Sequence, residues 1–171
     1  MSNSISYIAF DLSNDVIYQM YLIAQHIKTI IPNFIPMEYD SIHMTVCFLG
    51  EVAKRLKSKS KINELVNEYI PDIPVVDKLE FKSFELFGLK QNLIVATFSI
   101  SNTSQQNIIN IQQQCVNKYG APEHDRIYIP HITLGKISNV NSSNIINIKN
   151  LNFPIPELKI ITDLKCKIIG L

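Results

Sequence analysis

Residues 41–50 read SIHMTVCFLG and residues 128–136 read YIPHITLGK, so one short pattern occurs twice in this chain. Each copy holds a histidine two residues before a threonine, inside a run of β-branched and apolar residues: His43 with Thr45, and His131 with Thr133. Side chains two residues apart on a strand point to the same face of the sheet. The pattern therefore predicts two strands that each present a His and a Thr on one face and alternating apolar residues to a core.

The segments that precede the two motifs also repeat. YIAF at residues 7–10 resembles IVAT at residues 94–97, and each is followed by a polar break and then by a stretch with helical spacing. A single His in a strand is usually a packing residue, since His is of intermediate burial. A duplicated unit of strand, helix and H-x-T strand instead predicts two equivalent histidines placed side by side in one cleft.

Two imidazoles and two hydroxyls in one cleft form a chemically complete set. A neutral imidazole accepts a proton, a protonated one donates it, and the change occurs near neutral pH. The threonine hydroxyls add two hydrogen-bond donors for the oxygens of a phosphoryl group. The set predicts acid–base chemistry on a phosphodiester with no metal required. Because the two halves look equivalent, the sequence leaves open which His is the base and which is the acid.

These motifs resemble the signatures of the two-histidine (2H) phosphoesterase superfamily, in its LigT-like, 2′–5′ RNA ligase-like branch. Residues 43–51 fit the family pattern H-h-T-h-x-F-L-G-E, in which h is apolar, and residues 130–136 fit P-H-h-T-h-[AG]-[KR]. Weaker similarity at residues 7–12 and 84–95 extends the resemblance over nearly the whole chain. It implies one α+β domain over residues 1–171, with two pseudo-symmetric lobes of mostly antiparallel sheet, outer helices and a central cleft. It also implies phosphodiester or cyclic-phosphate chemistry, with His43, Thr45, His131 and Thr133 as the catalytic residues.

Four residues outside the motifs are candidates for substrate binding: Lys136, Arg126, His124 and Tyr39. Lys136 follows the second motif where the family tends to carry a basic residue, and its point charge would meet a phosphate. His124 and Arg126 precede that motif, in a loop where the family often places substrate contacts. Tyr39 lies before the first motif and offers an aromatic face to a nucleobase.

Three residues near these candidates are better explained by packing. Tyr128 has the opposite strand parity to His131, so we expect it in the core. Cys47 has the parity of His43 and would line the cleft, but a small buried residue is the favoured interpretation. His26 falls on the first predicted helix, where a surface or packing position is expected.

Composition limits the cellular context and the partners. The chain has 171 residues, 46% of them hydrophobic and 18% charged, with a net charge of +1. This balance is ordinary for a soluble globular domain and gives no electrostatic reason to bind duplex nucleic acid, so a nucleotide or short oligonucleotide is the expected partner. The three cysteines form no C-x-x-C, and no apolar run approaches the ~20 residues of a membrane span. We expect a monomeric cytoplasmic protein that binds no membrane, metal or cofactor.

The secondary structure follows from apolar periodicity and from Ser, Asn, Gly and Pro. The pattern predicts helices at residues 16–31, 53–69 and 104–118, and strands at residues 5–12, 76–87, 93–100, 127–137 and 158–169. Residues 13–15 (Ser-Asn-Asp) are expected to form the N-cap region of the first helix, and Gly120 is expected to end the third. A surface loop is predicted at residues 138–152. The basic run at residues 54–61 is interpreted as a solvated helix face in preference to a phosphate-binding patch.

The substrate is the least determined part of the prediction. Ile, Asn and Lys are plentiful, and their AT-rich codons are compatible with a large DNA virus or phage, although many bacteria share this bias. The leading hypothesis is a 2′–5′-linked or cyclic signal nucleotide, such as cyclic GMP–AMP or 2′–5′ oligoadenylate, destroyed in immune evasion. The alternative is processing of RNA 2′,3′-cyclic phosphate ends in the manner of a 2′–5′ RNA ligase-like enzyme. A non-catalytic nucleotide- or RNA-binding module is a third hypothesis, disfavoured because both H-x-T triplets are intact.

Overall fold

The computed structural model of the protein describes residues 6–51, 64, 75–123, 127–140 and 146–169. Within these ranges the long elements follow in the order β1 (Ser6–Phe10), α1 (Asn14–Ile30), β2 (Phe34–Pro36), β3 (Thr45–Gly50), β4 (Val76–Phe87), β5 (Leu93–Ile100), α2 (Asn102–Tyr119), β6 (His131–Ile137), β7 (Ile160–Leu164) and β8 (Cys166–Ile169). Short 3₁₀ turns lie at Tyr39–Ser41 and Ile148–Asn150. No helix in the described ranges is long and apolar enough to cross a membrane.

The strands form two antiparallel sheets. One sheet has the order β3-β1-β8, and the other has the order β2-β6-β5-β4-β7. Each H-x-T motif thus lies in its own sheet. β3 pairs with β1, the strand before α1, and β6 pairs with β5, the strand before α2. The predicted α+β class and the division into two antiparallel sheets are confirmed.

The two halves of the chain are interleaved. β2 belongs to the first half, yet it pairs with β6 of the second, with Phe34 opposite Ile137 and Pro36 opposite Gly135. A side chain at Gly135 would collide with the ring of Phe34 and the carbonyl of Ile35, so the close approach of β2 requires glycine there. α1 packs on β2 and β6, whereas α2 packs on β3. Each helix therefore packs against the H-x-T strand of the other half.

The helices α1 and α2 begin with the same kind of cap. The Ser13 hydroxyl accepts from the Val16 N–H at 3.4 Å, and the Ser101 hydroxyl accepts from the Ser104 N–H at 3.2 Å. Each bond satisfies one of the free N–H groups of a first helical turn. α2 ends at Gly120, whose φ of 65° lies in the left-handed region that favours glycine. The predicted N-cap of the first helix is confirmed. The predicted end at Gly120 of the helix at residues 104–118, here α2, is also confirmed.

One apolar cluster joins the sheets and the helices. Its members on α1 follow the helical repeat: Val16, Met20, Ile23, Ala24 and Ile27. Its members on the central strands alternate: Ile8 and Phe10 on β1, and Ile94, Ala96 and Phe98 on β5. Removing this apolar surface from water is the main favourable term in folding. The alternate residues of the same strands face the other way and are available to build a site.

Two predicted features differ in the structure. The strand predicted at residues 158–169 is two strands, because β7 pairs with β4 in one sheet and β8 with β1 in the other. β2 lies in a segment for which no strand is predicted; it is stabilised by pairing with β6 and so has no local signal. The helix predicted at residues 53–69 and the basic run at 54–61 lie outside the described residues, except for Glu64, which is helical.

Candidate active site

The two H-x-T motifs occupy matching positions at the beginnings of β3 and β6. β3 begins at Thr45, two residues after His43, and β6 begins at His131. In both motifs the His and the Thr are half-buried, whereas the residue between them, Met44 or Ile132, is fully buried. The predicted alternation between a polar face and a core face is therefore confirmed.

β3 departs from a regular strand directly after its threonine. The consecutive β1 residues Ile8 and Ala9 lie opposite Cys47 and Thr45, so Val46 is an extra residue in β3. Such a β-bulge bends the strand and changes the direction of the side chains beyond it.

β6 carries the same bulge at the same place. The consecutive β5 residues Ile94 and Val95 lie opposite Gly135 and Thr133, so Leu134 is the extra residue. Bulges are over-represented next to active sites, where they orient side chains. The likeness of the two halves thus extends from the sequence motif to an irregularity of the backbone.

The bulges change the faces on which later residues lie. Cys47 points into the core, and its thiol donates a hydrogen bond of 3.7 Å to the Phe48 carbonyl. Lys136 is exposed and lies opposite Leu93, on the face that carries His131. The interpretation of Cys47 as a small buried residue is confirmed. Simple alternation would place Lys136 on the opposite face of β6 from His131, but the bulge brings it to the same face.

Each imidazole is held through one ring nitrogen. His43 Nδ1 lies 2.7 Å from the carbonyl oxygen of Ser41, and His131 Nδ1 lies 2.7 Å from that of Ile129. A carbonyl only accepts, so each Nδ1 carries a proton and each neutral ring has its lone pair on Nε2. Within the described ranges neither Nε2 has a hydrogen-bond partner. Both rings are thereby fixed in one tautomer, with the basic nitrogen available to a ligand.

An aromatic ring lies against each imidazole. The ring centroids of Tyr7 and His43 are 4.8 Å apart, and those of Phe87 and His131 are also 4.8 Å apart. Tyr7 comes from β1 and Phe87 from the end of β4, so each histidine is supported from another strand of its own sheet. The sequence gives no local signal for either partner, because the contacts depend on strand pairing.

The two histidines influence one another electrostatically. Burial lowers the pKa of His131 below its ordinary value, the hydrogen bond to Ile129 opposes this, and the charge of His43 lowers the pKa further. Two charges interact appreciably only at short range in water. His43 therefore acts electrostatically on His131 although their strands belong to different sheets.

The carbonyl groups at the bulges are bound by the opposite half of the chain. Three hydrogen bonds of 2.8 Å reach them. The Tyr128 hydroxyl donates to the carbonyl of Thr45, Gln112 Nε2 donates to that of Val46, and the Met37 N–H donates to that of Leu134. Tyr128 packs against the core, as predicted, but its hydroxyl also links the segment before the second motif to the strand of the first. Burial raises the pKa of Tyr128, so this hydroxyl stays protonated and remains a donor.

A cleft of about 790 Å³ opens beside His131. Its walls include the end of β4 and the hairpin turn, at Phe87 and Gln91, and the segment before β6, at Ile127 and Tyr128. The volume falls in the range of sites that hold small molecules. A second groove, of about 390 Å³, lies between α1 and residues 155–158 and includes neither imidazole.

The remaining predicted residues are placed as follows. The ring of Tyr39 packs edge-on against Tyr21 of α1, with the centroids 5.8 Å apart. His26 is exposed on α1, as expected. His124 and Arg126 lie outside the described residues. In the part of the chain that is described, no group of three His, Cys, Asp or Glu side chains could hold a metal ion.

This architecture is similar to that of several solved structures. The crystal structure of E. coli LigT complexed with 3′-AMP has a TM-score of 0.66 and 18% identity, over 96% of this chain and 86% of that chain. The crystal structure of a phosphoesterase has a TM-score of 0.67 and 18% identity, over 96% of this chain and 86% of that chain. The crystal structure of TT0787 of Thermus thermophilus has a TM-score of 0.61 and 13% identity, over 98% of this chain and 81% of that chain. The chain has the LigT fold.

The LigT fold is retained here at low sequence identity. No protein-family model matches the sequence, and no curated protein sequence matches it. The bilobal architecture implied by the two H-x-T motifs is nevertheless confirmed by the similarity of the folds, which extends over almost the whole chain.

Proposed function

We propose that this protein is a phosphodiesterase that cleaves 2′–5′-linked or cyclic nucleotides, with His43 and His131 as its acid–base pair. The observation that carries the proposal is the matched setting of the two histidines. Each stands beside a bulged strand, each has Nδ1 bound to a backbone carbonyl, and each leaves Nε2 available. One of two such imidazoles can remove a proton from the nucleophile on one side of a phosphate, and the other can donate a proton to the leaving oxygen on the other side.

The environments of the two imidazoles favour different roles for them. Burial lowers the pKa of His131, and the charge of His43 lowers it further. A lowered pKa keeps the His131 imidazole neutral at neutral pH, as a general base must be. In this assignment His131 is the general base, and His43 has the remaining role of general acid.

The proposed reaction is a single displacement at phosphorus. His131 removes the proton of the nucleophile as it attacks, and His43 protonates the oxygen that leaves. For a 2′–5′ linkage the nucleophile is the neighbouring 3′-hydroxyl, which is already held close, and the product is a 2′,3′-cyclic phosphate. For a cyclic phosphate the nucleophile is water. The hydroxyls of Thr45 and Thr133 donate to the non-bridging oxygens, where negative charge grows.

Several observations support a small nucleotide substrate. Crystal structures of E. coli LigT exist as complexes with 3′-AMP, NADP+, ATP and phosphate. The net charge of +1 offers little attraction to a long polyanion. Lys136 adds a cation on the face of His131, and Tyr39, His124 and Arg126 are retained as proposed contacts. We further propose that the protein acts as a cytoplasmic monomer, in keeping with three buried cysteines that form no disulfide, on signal nucleotides of an immune response.

The test is an activity panel in excess EDTA. Cyclic dinucleotides, 2′–5′ and 3′–5′ oligoadenylates and 2′,3′-cyclic nucleotides are incubated with the wild type and with His43→Ala, and the products are separated by chromatography. We expect cleavage of a 2′–5′ or cyclic substrate that disappears in the variant. Turnover of 2′,3′-cyclic ends alone would favour the RNA end-processing alternative. Binding without turnover of any member would favour the non-catalytic module and contradict the proposal.

A further inference from the structure

Strands β8 and β4 occupy equivalent places beside β1 and β5, each on the side away from the H-x-T strand. In the first sheet, Lys167 of β8 lies opposite Ala9, which lies opposite Thr45. Residues directly opposite one another in an antiparallel pair share a face. Neighbouring strands are about 4.8 Å apart, so Lys167 stands about 10 Å from Thr45 across the sheet. Its side chain is therefore long enough for the ammonium group to approach a ligand bound at the first H-x-T motif.

The alternation of β8 shows that Lys167 faces away from the core. Its neighbours Cys166 and Ile168 lie opposite Phe10 and Ile8, and all four belong to or pack on the apolar cluster. Lys167 consequently lies on the face that carries Tyr7 and His43.

The immediate environment of Lys167 leaves it able to bind an anion. Its ammonium group lies 3.4 Å from Asp11 Oδ1, and the two side chains are 46% and 61% exposed. Exposed ion pairs of this kind contribute little, typically about 0–1 kcal/mol, so an incoming phosphate can compete for the ammonium group.

The equivalent position of the other sheet has the opposite charge. Glu85 of β4 lies opposite Val95, which lies opposite Thr133. Its carboxylate accepts a hydrogen bond of 3.3 Å from the Ser83 hydroxyl. At this position a phosphate would meet a carboxylate, whereas the equivalent position of the first sheet carries an ammonium group. Strands β8 and β4 therefore break the symmetry that the two H-x-T motifs preserve.

We propose that Lys167 binds a second phosphate of the substrate, next to the one that is cleaved. The preferred substrates are then nucleotides that carry at least two phosphate groups, oriented with the uncleaved one over the three-stranded sheet. This proposal rests on the proposed function, because it takes the scissile phosphate to lie between the two H-x-T motifs.

Binding can be measured without turnover, so the test does not depend on the activity panel. Adenosine 2′-monophosphate and adenosine 2′,5′-bisphosphate are titrated into the protein by calorimetry, and their dissociation constants are compared. We expect the wild type to bind the bisphosphate roughly 10- to 100-fold more tightly, the size of a hydrogen bond to a charged group. In Lys167→Gln this advantage should disappear, while the affinity for the monophosphate changes little.

Lys78→Gln is the matched control. Lys78 is also an exposed lysine in an ion pair, 3.6 Å from Glu80 Oε2, but it lies by a separate cavity that contains neither H-x-T motif. This control should keep the full preference for the bisphosphate. Asp11→Asn should act in the opposite direction and increase the preference, because it frees the ammonium group of Lys167. A wild type without the preference, or a Lys167→Gln variant that retains it, would overturn the role of Lys167. Failure of turnover in the activity panel would instead count against the proposed function.

Discussion

The substitution Tyr128→Phe tests whether the hydrogen bond between the two halves positions the site. It removes the hydroxyl that donates to the Thr45 carbonyl at 2.8 Å and changes nothing else in the side chain. The carbonyl is at the β3 bulge and loses this partner. Leaving a buried acceptor unsatisfied costs about 1–3 kcal/mol, and because both residues are only half-buried we expect about 1–2 kcal/mol. For a domain of this size that corresponds to a fall in Tm of about 2–8 °C.

The same substitution should reduce catalysis. The freed carbonyl allows Thr45 and nearby His43 to move out of alignment with the substrate. We expect the activation free energy to rise by about 1.4 kcal/mol, which corresponds to about a tenfold fall in kcat. Melting followed by circular dichroism and steady-state kinetics on the best substrate of the panel give the two quantities. Tyr18→Phe, on the exposed face of α1, is the matched control and should alter neither. If Tyr128→Phe melted and turned over like the wild type, the inferred role of the bulge contact would be wrong.

Four further outcomes are expected. His43→Ala and His131→Ala should each lose about 10²–10⁴-fold in rate, with the double variant little worse than the poorer single one, whereas His26→Ala should remain near wild type. The pH–rate profile should be bell-shaped, with a falling limb from the general acid and a rising limb from His131, which loses its proton at a pH below that of an ordinary imidazole because its pKa is lowered; His131→Ala should abolish the rising limb. Turnover should persist in EDTA, since two imidazoles supply the chemistry, and rescue by added zinc after loss would contradict this. Gly135→Ala should lower the Tm in a thermal melt, because its methyl group would collide with Phe34 and overpacking of this kind costs about 1–3 kcal/mol.

The features that were predicted correctly depend on local sequence. The spacing of His43 and Thr45 fixes a shared face because a strand repeats every two residues, and Met44 between them is buried as that rule requires. Likewise Ser13 and Gly120 mark helix ends through their own hydrogen bond and backbone conformation.

The features that were missed depend on strands distant in the chain. The two bulges invert the alternation after each threonine, and they become visible only when β3 and β6 are paired with their neighbours. The placement of Lys136 on the face of His131 follows from that register and not from residue spacing. β2 consists of three residues stabilised by a partner strand about a hundred positions away, a contact that no local pattern encodes.

The interleaving of the two halves has a consequence for synthesis of the protein. β1 is the central strand of its sheet, yet one of its neighbours is β8, from the far end of the described chain. Until β8 has been translated, one edge of β1 lacks its partner strand, and such edges are templates for aggregation. β2 must likewise wait for β6. A nascent chain long enough to contain His43 thus lacks the strands that complete its surroundings, and the proposed activity should arise only after nearly all of the described chain has left the ribosome.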